Sequence, residues 1–280
     1  MSISLPTYTR REIPLLSRRH RAWAIVGAGL RREIRRPAAV FAIVVGTAIT
    51  TVSSIVFVLF APFLLRGQPL DLSFFYIPAS NSAMLFFVTL MAAIVGAGLI
   101  ADDLDSMALT LYLSRPLTAA DYLTAKAAIL ATLTSLIAIL PLVITPLVAA
   151  LLALFPWDIA LEAMGISILL GLVLTAFFTA LSLFLSSLTR RRAYAAAAVF
   201  AIVFGLLATA TILSQTGTLN EPALLYLSPW EDFLAVARAA FGAPAGPIGW
   251  APALAILLGV TVLTALATWL RMRAVEVVSG

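Results

Sequence analysis

Six apolar runs, at about residues 38–65, 83–101, 127–155, 162–189, 193–214 and 250–270, occupy most of this chain. Each is long enough to cross a hydrocarbon core of roughly 30 Å, which takes about 20 apolar residues in a helix. Lipid offers no partner to a backbone N–H or C=O, so such runs must become helices or strands of a closed barrel. A barrel would show alternating segments of about ten residues, and these runs are continuous. The expected fold is an all-α polytopic membrane protein with six transmembrane helices. Composition agrees, because 62% of the 280 residues are hydrophobic and 11% charged, too little charge to cover a soluble domain of that size. The chain divides into a basic cytoplasmic tail (1–22), an amphipathic helix (23–36) and a single six-helix transmembrane domain (37–280).

The net charge of +5 invites a nucleic-acid reading, but the positions of the charges refuse it. Of 18 Lys and Arg, only Arg66 and Arg238 fall in the loops on one side; the rest cluster before residue 37, in 102–126, at Arg190–Arg192 and at Arg271 and Arg273. This is the positive-inside pattern of a multi-pass protein of the cell inner (cytoplasmic) membrane with both termini cytoplasmic. The N-terminus is too long and too Arg-rich before its first apolar run to be a cleaved secretory signal. With no cysteine there is neither a disulfide nor a thiolate site.

Trp23 to Arg36 has the pattern of an interfacial helix. Trp23, Val26, Gly27, Leu30 and Ile34 share one face at 3.6 residues per turn, while Arg31, Arg32, Arg35 and Arg36 spread over the other, where anionic headgroups would meet them. Simple topology-setting charge is the alternative. Pro37 restarts the chain at the first span. Ala92-Ala93 and Gly96-Ala97-Gly98 in span two suit close helix packing, within the chain or between copies. Pro141 and Pro146 predict a kink in span three. In span four, Thr175, Thr179, Ser182, Ser186 and Ser187 read mainly as hydroxyls bonded back to their own helix. Before span six, Ser228-Pro229-Trp230-Glu231 starts a short outer helix, amphipathic or re-entrant, with a capping box and Pro at its first position. Trp230, Phe233, Leu234, Ala237 and Phe241 form its apolar face, Glu231, Asp232 and Arg238 lie elsewhere, and Gly242-Ala243-Pro244 closes it.

Several chemistries lack material. No Asp, Glu, Lys, Arg or His falls inside the six runs, with Glu162 at the edge of the fourth, which argues against proton- or sodium-coupled transport. His20, the only histidine, sits in the basic tail. Asp102, Asp103 and Asp105 lack the partner ligands of a magnesium site. Lys126 follows no glycine pattern of a phosphate loop. No catalytic or metal-binding residue is expected, and no cofactor on this chain.

The loop between spans two and three carries the most specific pattern. It begins Asp102-Asp103-Leu104-Asp105, passes through Leu-rich residues to Leu113-Ser114-Arg115-Pro116-Leu117, and continues as Asp121-Tyr122 to Lys126. This resembles the permease subunits of type-2 exporters of the ATP-binding-cassette (ABC) superfamily. Met107 and Ala108 stand where that family usually has Gly-Thr, a departure in local turn geometry. The resemblance extends over nearly the whole chain, through six spans, the amphipathic first helix, the basic loop after Leu185-Ser186-Ser187-Leu188 and the outer helix.

The resemblance implies a mechanism. The 102–126 loop is a cytoplasmic coupling helix docked on a separate ATPase subunit, which binds the ATP and Mg. Asp102, Asp103, Leu104, Asp105, Met107, Leu111, Tyr112 and Arg115 make the contacts, and the arginines of the first helix add to them. A second permease chain, identical or related, completes the pathway, with Phe86, Phe87, Phe200 and Phe204 as candidates to face a lipid- or drug-like amphiphilic cargo moved by alternating access. Membrane lipids are further partners. Two other readings stay open: a membrane anchor or assembly factor that recruits a soluble partner without transport, and a polytopic lipid-modifying enzyme using the Asp cluster.

Overall fold

The computed structural model describes residues 18–64, 71–107, 118–215 and 221–278, and no strand occurs among them. Helix α1 (Arg18–Ile34) leads into α2 (Pro37–Leu64), the first span. Then come α3 (Ser82–Asp105), α4 (Ala119–Leu151) and α5 (Trp157–Leu188). Last are α6 (Arg192–Gln215), the short α7 (Pro229–Ala240) and α8 (Trp250–Val278). Six of these helices are long and apolar enough to span a membrane, and each overlaps one of the six runs of the sequence.

The spans are not equivalent. In α3 and α5, 78% and 67% of the apolar window is buried within the protein, against 22% in α2 and 17% in each of α6 and α8. Thus α3 and α5 form the centre, and α2, α6 and α8 present wide apolar faces outward. The central pair is joined through a π-helical turn, Ala92–Gly96, in the middle of α3. Such a turn breaks the regular i→i−4 pairing and leaves backbone groups to be satisfied from outside the helix. Neighbouring helices supply the partners. Ser182 Oγ donates to the Ala92 carbonyl at 2.7 Å, and Ser186 Oγ donates to Ala97 O at 2.7 Å while accepting from the N–H groups of Ile100 and Ala101. From the start of α6, Arg192 donates to Ile94 O.

This corrects the expectation that the span-four hydroxyls bond back to their own helix. Ser187 does so, donating to Phe184 O, but Ser182 and Ser186 cross to α3. The small residues of span two serve packing within the chain. A Cβ on Gly96 would collide with Ser182 Oγ and stand 2.7 Å from Leu130 Cδ2.

The kink expected in α4 occurs at Ile139, where the helix is interrupted two residues before Pro141. Proline has no N–H to give and its ring crowds the preceding turn, so the interruption has a local cause. Gly171 of α5 lies against it, with a Cβ there only 3.2 Å from Ile139 Cα. At α7 the predicted start is present, with Ser228 Oγ accepting from Glu231 N at 3.3 Å and Pro229 at the first position. Gly242, at φ +67°, terminates it.

Gly96→Ala should lower stability by about 1–3 kcal/mol through overpacking against α5. Thermal unfolding of the detergent-solubilised chain, compared with Gly165→Ala where a Cβ meets open space, measures this.

Candidate functional site

Charged residues gather at one end of the bundle, where α1, the last turn of α3 and the first turns of α4 meet. Helix α1 packs along α4 through Val26, Gly29 and Leu30, and a Cβ on Gly29 would strike Ile129. The expected apolar face is divided, with Val26 against the protein and its ends turned outward. Trp23 is 71% exposed and Ile34 is exposed too, whereas Glu33 is fully buried. Glu33 is held by Arg32 Nε at 3.0 Å and Arg36 Nη1 at 2.9 Å. The other end of the Arg36 guanidinium lies 3.8 Å from Asp102 of α3. Arg31 and Arg35 are exposed. Arg36 therefore links the first helix to the end of span two.

A second link joins α3 to α4. Asp103, 6% exposed, accepts from Tyr122 Oη at 2.7 Å and pairs with Lys126 Nζ at 2.6 Å. Tyr122 and Lys126 are one helical turn apart, so both point at the same carboxylate, and the ammonium also stands 5.2 Å from the Tyr122 ring centroid. A buried carboxylate with a charged partner and a hydroxyl donor has its desolvation offset locally. The sequence reading put these groups in a solvated loop. Instead the helices run past the apolar runs, and span ends hold a buried ion pair.

The remaining predicted coupling residues are divided. Leu104 is half-buried, and Asp105 and Met107 are exposed. Met107 has φ +54°, a left-handed conformation that ends α3. Leu111, Tyr112 and Arg115 lie outside the described residues. Thr118, through its side chain and backbone, forms a capping box with Asp121 that fixes where α4 starts.

The four phenylalanines come together. Phe86 of α3 is 5.2 Å from Phe87 and 6.5 and 6.4 Å from Phe200 and Phe204 of α6, ring centroid to centroid, and the last two stack at 5.8 Å. Phe87 is buried, and the other three make an accessible aromatic patch across spans two and five.

Helix α7 is buried on more than its apolar face, since Trp230 and every residue from Asp232 to Ala237 are buried. Asp232, off the apolar face as its position in the helix predicts, is 1% exposed, and neither carboxylate oxygen has a partner among the described residues. Burial, with help from the Glu231 carboxylate, pushes its pKa up to about 7. Burial also raises Glu231, against the pull of Arg238. Arg238 in turn donates to Tyr76 Oη at 2.8 Å and covers its ring.

Glu33, Ser182, Ser186 and Asp232 were not singled out by sequence as polar groups with interior positions. Only Glu33 carried a hint, as the lone acid within a run of arginines. For the described residues, no cluster with the makings of a metal site is present. Compared with known proteins, the chain is matched from residue 32 to residue 274 by the model of a family described as ABC-2 family transporter protein. No curated protein matches it.

Removing one partner of a buried ion pair leaves an uncompensated charge. Lys126→Met should therefore cost about 3–5 kcal/mol, and the double change with Asp103→Leu should recover most of it; denaturation in detergent measures both. At α7 the folded state holds the Asp232 proton from the ordinary 3.8 up to about 7. Stability therefore falls as pH rises through that window. Asp232→Asn should flatten this dependence, which hydrogen exchange of the α7 amides between pH 5 and 8 reads directly.

Proposed function

The chain belongs to the ABC-2 transporter family, and we propose that it is the membrane subunit of an exporter driven by ATP hydrolysed on a separate cytoplasmic subunit. The family role as a permease in ABC transport is non-catalytic, and the six apolar helices make this a multi-pass membrane protein. The finer reading rests on one observation: the two ion-pair links that tie α1, α3 and α4 together at the base of the 108–117 segment.

An ATPase that grips the exposed Asp105 and Met107 acts on the held end of a helix. Its movement passes through Met107 into α3 and through the Thr118 capping box into α4. The Asp103–Lys126 pair then keeps those two helices moving together, and Arg36 carries α1 with them. A coupling element must be held differently in the ATP-bound and free states, and a rigid junction at its base turns that difference into a tilt of whole helices. The polar end faces the cytoplasm of the inner membrane, where the excess of arginine belongs. Trp23, Ile34, Arg31 and Arg35, on the exposed side of α1, meet lipid headgroups or the ATPase.

Two permease chains pair across the aromatic patch of Phe86, Phe200 and Phe204. Alternating access between them moves an amphiphilic, lipid- or drug-like cargo, for which this patch offers apolar and π contact without a fixed charge. ATP and Mg belong to the partner.

Gentle purification from native membranes should bring down a cassette ATPase, identified by mass spectrometry. Asp105→Lys with Met107→Asp should cut stimulation of its turnover by about tenfold, the effect of losing roughly 1.4 kcal/mol at one contact, while the permease stays folded. Recovery of a folded chain with no ATPase under several mild conditions would overturn the exporter reading in favour of an anchor.

A further inference from the structure

Spans three, four and six, none of which carries the aromatic patch, enclose a groove of about 400 Å³. Alanine is the commonest residue in its walls: Ala120, Ala127 and Ala131 of α4, Ala176 and Ala180 of α5, and Ala265 of α8. Three spans that turn small residues toward one another leave side-chain volume unfilled, and Ala120, Ala176 and Ala265 are exposed, so the groove opens sideways. Thr124, Thr261 and Thr268 bond to their own helices. Thr179 alone is different: it is nine-tenths buried, lines the groove, and its hydroxyl has no partner among the described residues.

The dimensions match one lipid leaflet. From Ala120 to Ala131 the wall runs about 16 Å at 1.5 Å per residue, close to half the roughly 30 Å hydrocarbon thickness. It starts at the polar end of the bundle, where Trp269 closes it. The mouth is cationic. The Arg273 guanidinium, one turn on from Trp269, lies 5.4 Å from the centre of that ring, while Arg271, on another side of the helix, donates Nε to Ser187 O at 2.7 Å. Asp121, beside Ala120, is engaged in the Thr118 capping box.

We propose that this groove is a resident site for an anionic glycerophospholipid of the leaflet at the polar end. One acyl chain lies along the groove wall, and the headgroup phosphate meets Arg273 beside Trp269. An apolar shaft of leaflet depth selects an acyl chain, and the Arg273 guanidinium selects its charge. The bound lipid would wedge α8 against α4 and α5. The site depends on the membrane-spanning fold, and neither on the cargo nor on coupling to an ATPase.

Tryptophan quenching by brominated lipids tests it on the full chain in vesicles, with Trp269→Phe subtracted to isolate the Trp269 signal. Brominated phosphatidylglycerol should quench Trp269 about fivefold more effectively than brominated phosphatidylcholine, the advantage of about one arginine near anionic lipid. Arg273→Gln should reduce the ratio toward one, and Arg273→Lys should restore it. Ala176→Leu with Ala265→Leu, which fill the groove, should abolish saturable quenching without lowering the melting temperature. A wild-type ratio of one would reduce the groove to ordinary annular contact and overturn the proposal. So would a charge preference unchanged by Arg273→Gln or by the filled groove in folded protein.

Discussion

A backbone inside a membrane has to satisfy its own polar groups, and an unbroken α-helix does so at every turn. Helix α3 departs from this at Ala92–Gly96, and the architecture is arranged around the departure. Ser182 and Ser186 of α5 and Arg192 of α6 take up the groups that the π turn leaves over. Gly96 is bare because a serine occupies the place of its side chain. The most deeply buried pair of spans is therefore joined by directional bonds, where most pairs of membrane helices have only packing.

At the polar end the same logic operates with full charges. Glu33 and Asp103 are taken out of water, and each is answered by cations from a neighbouring turn or helix. Pairs of this kind add little net stability, because desolvation cancels much of the attraction. What they do supply is position: one arrangement of α1, α3 and α4 satisfies both carboxylates, and other arrangements strand one. Helix α7 contains the contrary case, a buried Asp232 with no answering group among the described residues, which its raised pKa reflects.

Span number and order were legible because lipid imposes a length and a polarity that no packing can override, whereas the helices that continue past their apolar runs, to Asp105 and from Ala119, were not. The α7 start at Ser228, its stop at Gly242 and the break before Pro141 were legible because each follows from backbone chemistry of the residue itself. The family resemblance carried by the 102–126 loop agrees with the match over residues 32–274. The roles of Ser182 and Ser186 were not legible, since a serine in a helix has a carbonyl of its own within reach and only the π turn of another helix diverts it. The burial of Glu33 and Asp232 was not legible either, because helical periodicity sorts residues by polarity and cannot foresee that an acid is covered by neighbouring elements, as Glu33 is once arginines neutralise it.

The relation between the π turn and the Asp103–Lys126 pair has a mechanical meaning. Gly96 and Asp103 stand on the same stiff helix, about 10 Å apart at 1.5 Å per residue. One is bolted to α5 and α6, the other to α4. Span two is thus anchored at two depths, at mid-membrane and at the polar end, and the stretch between the anchors can neither slide nor turn without loosening one of them.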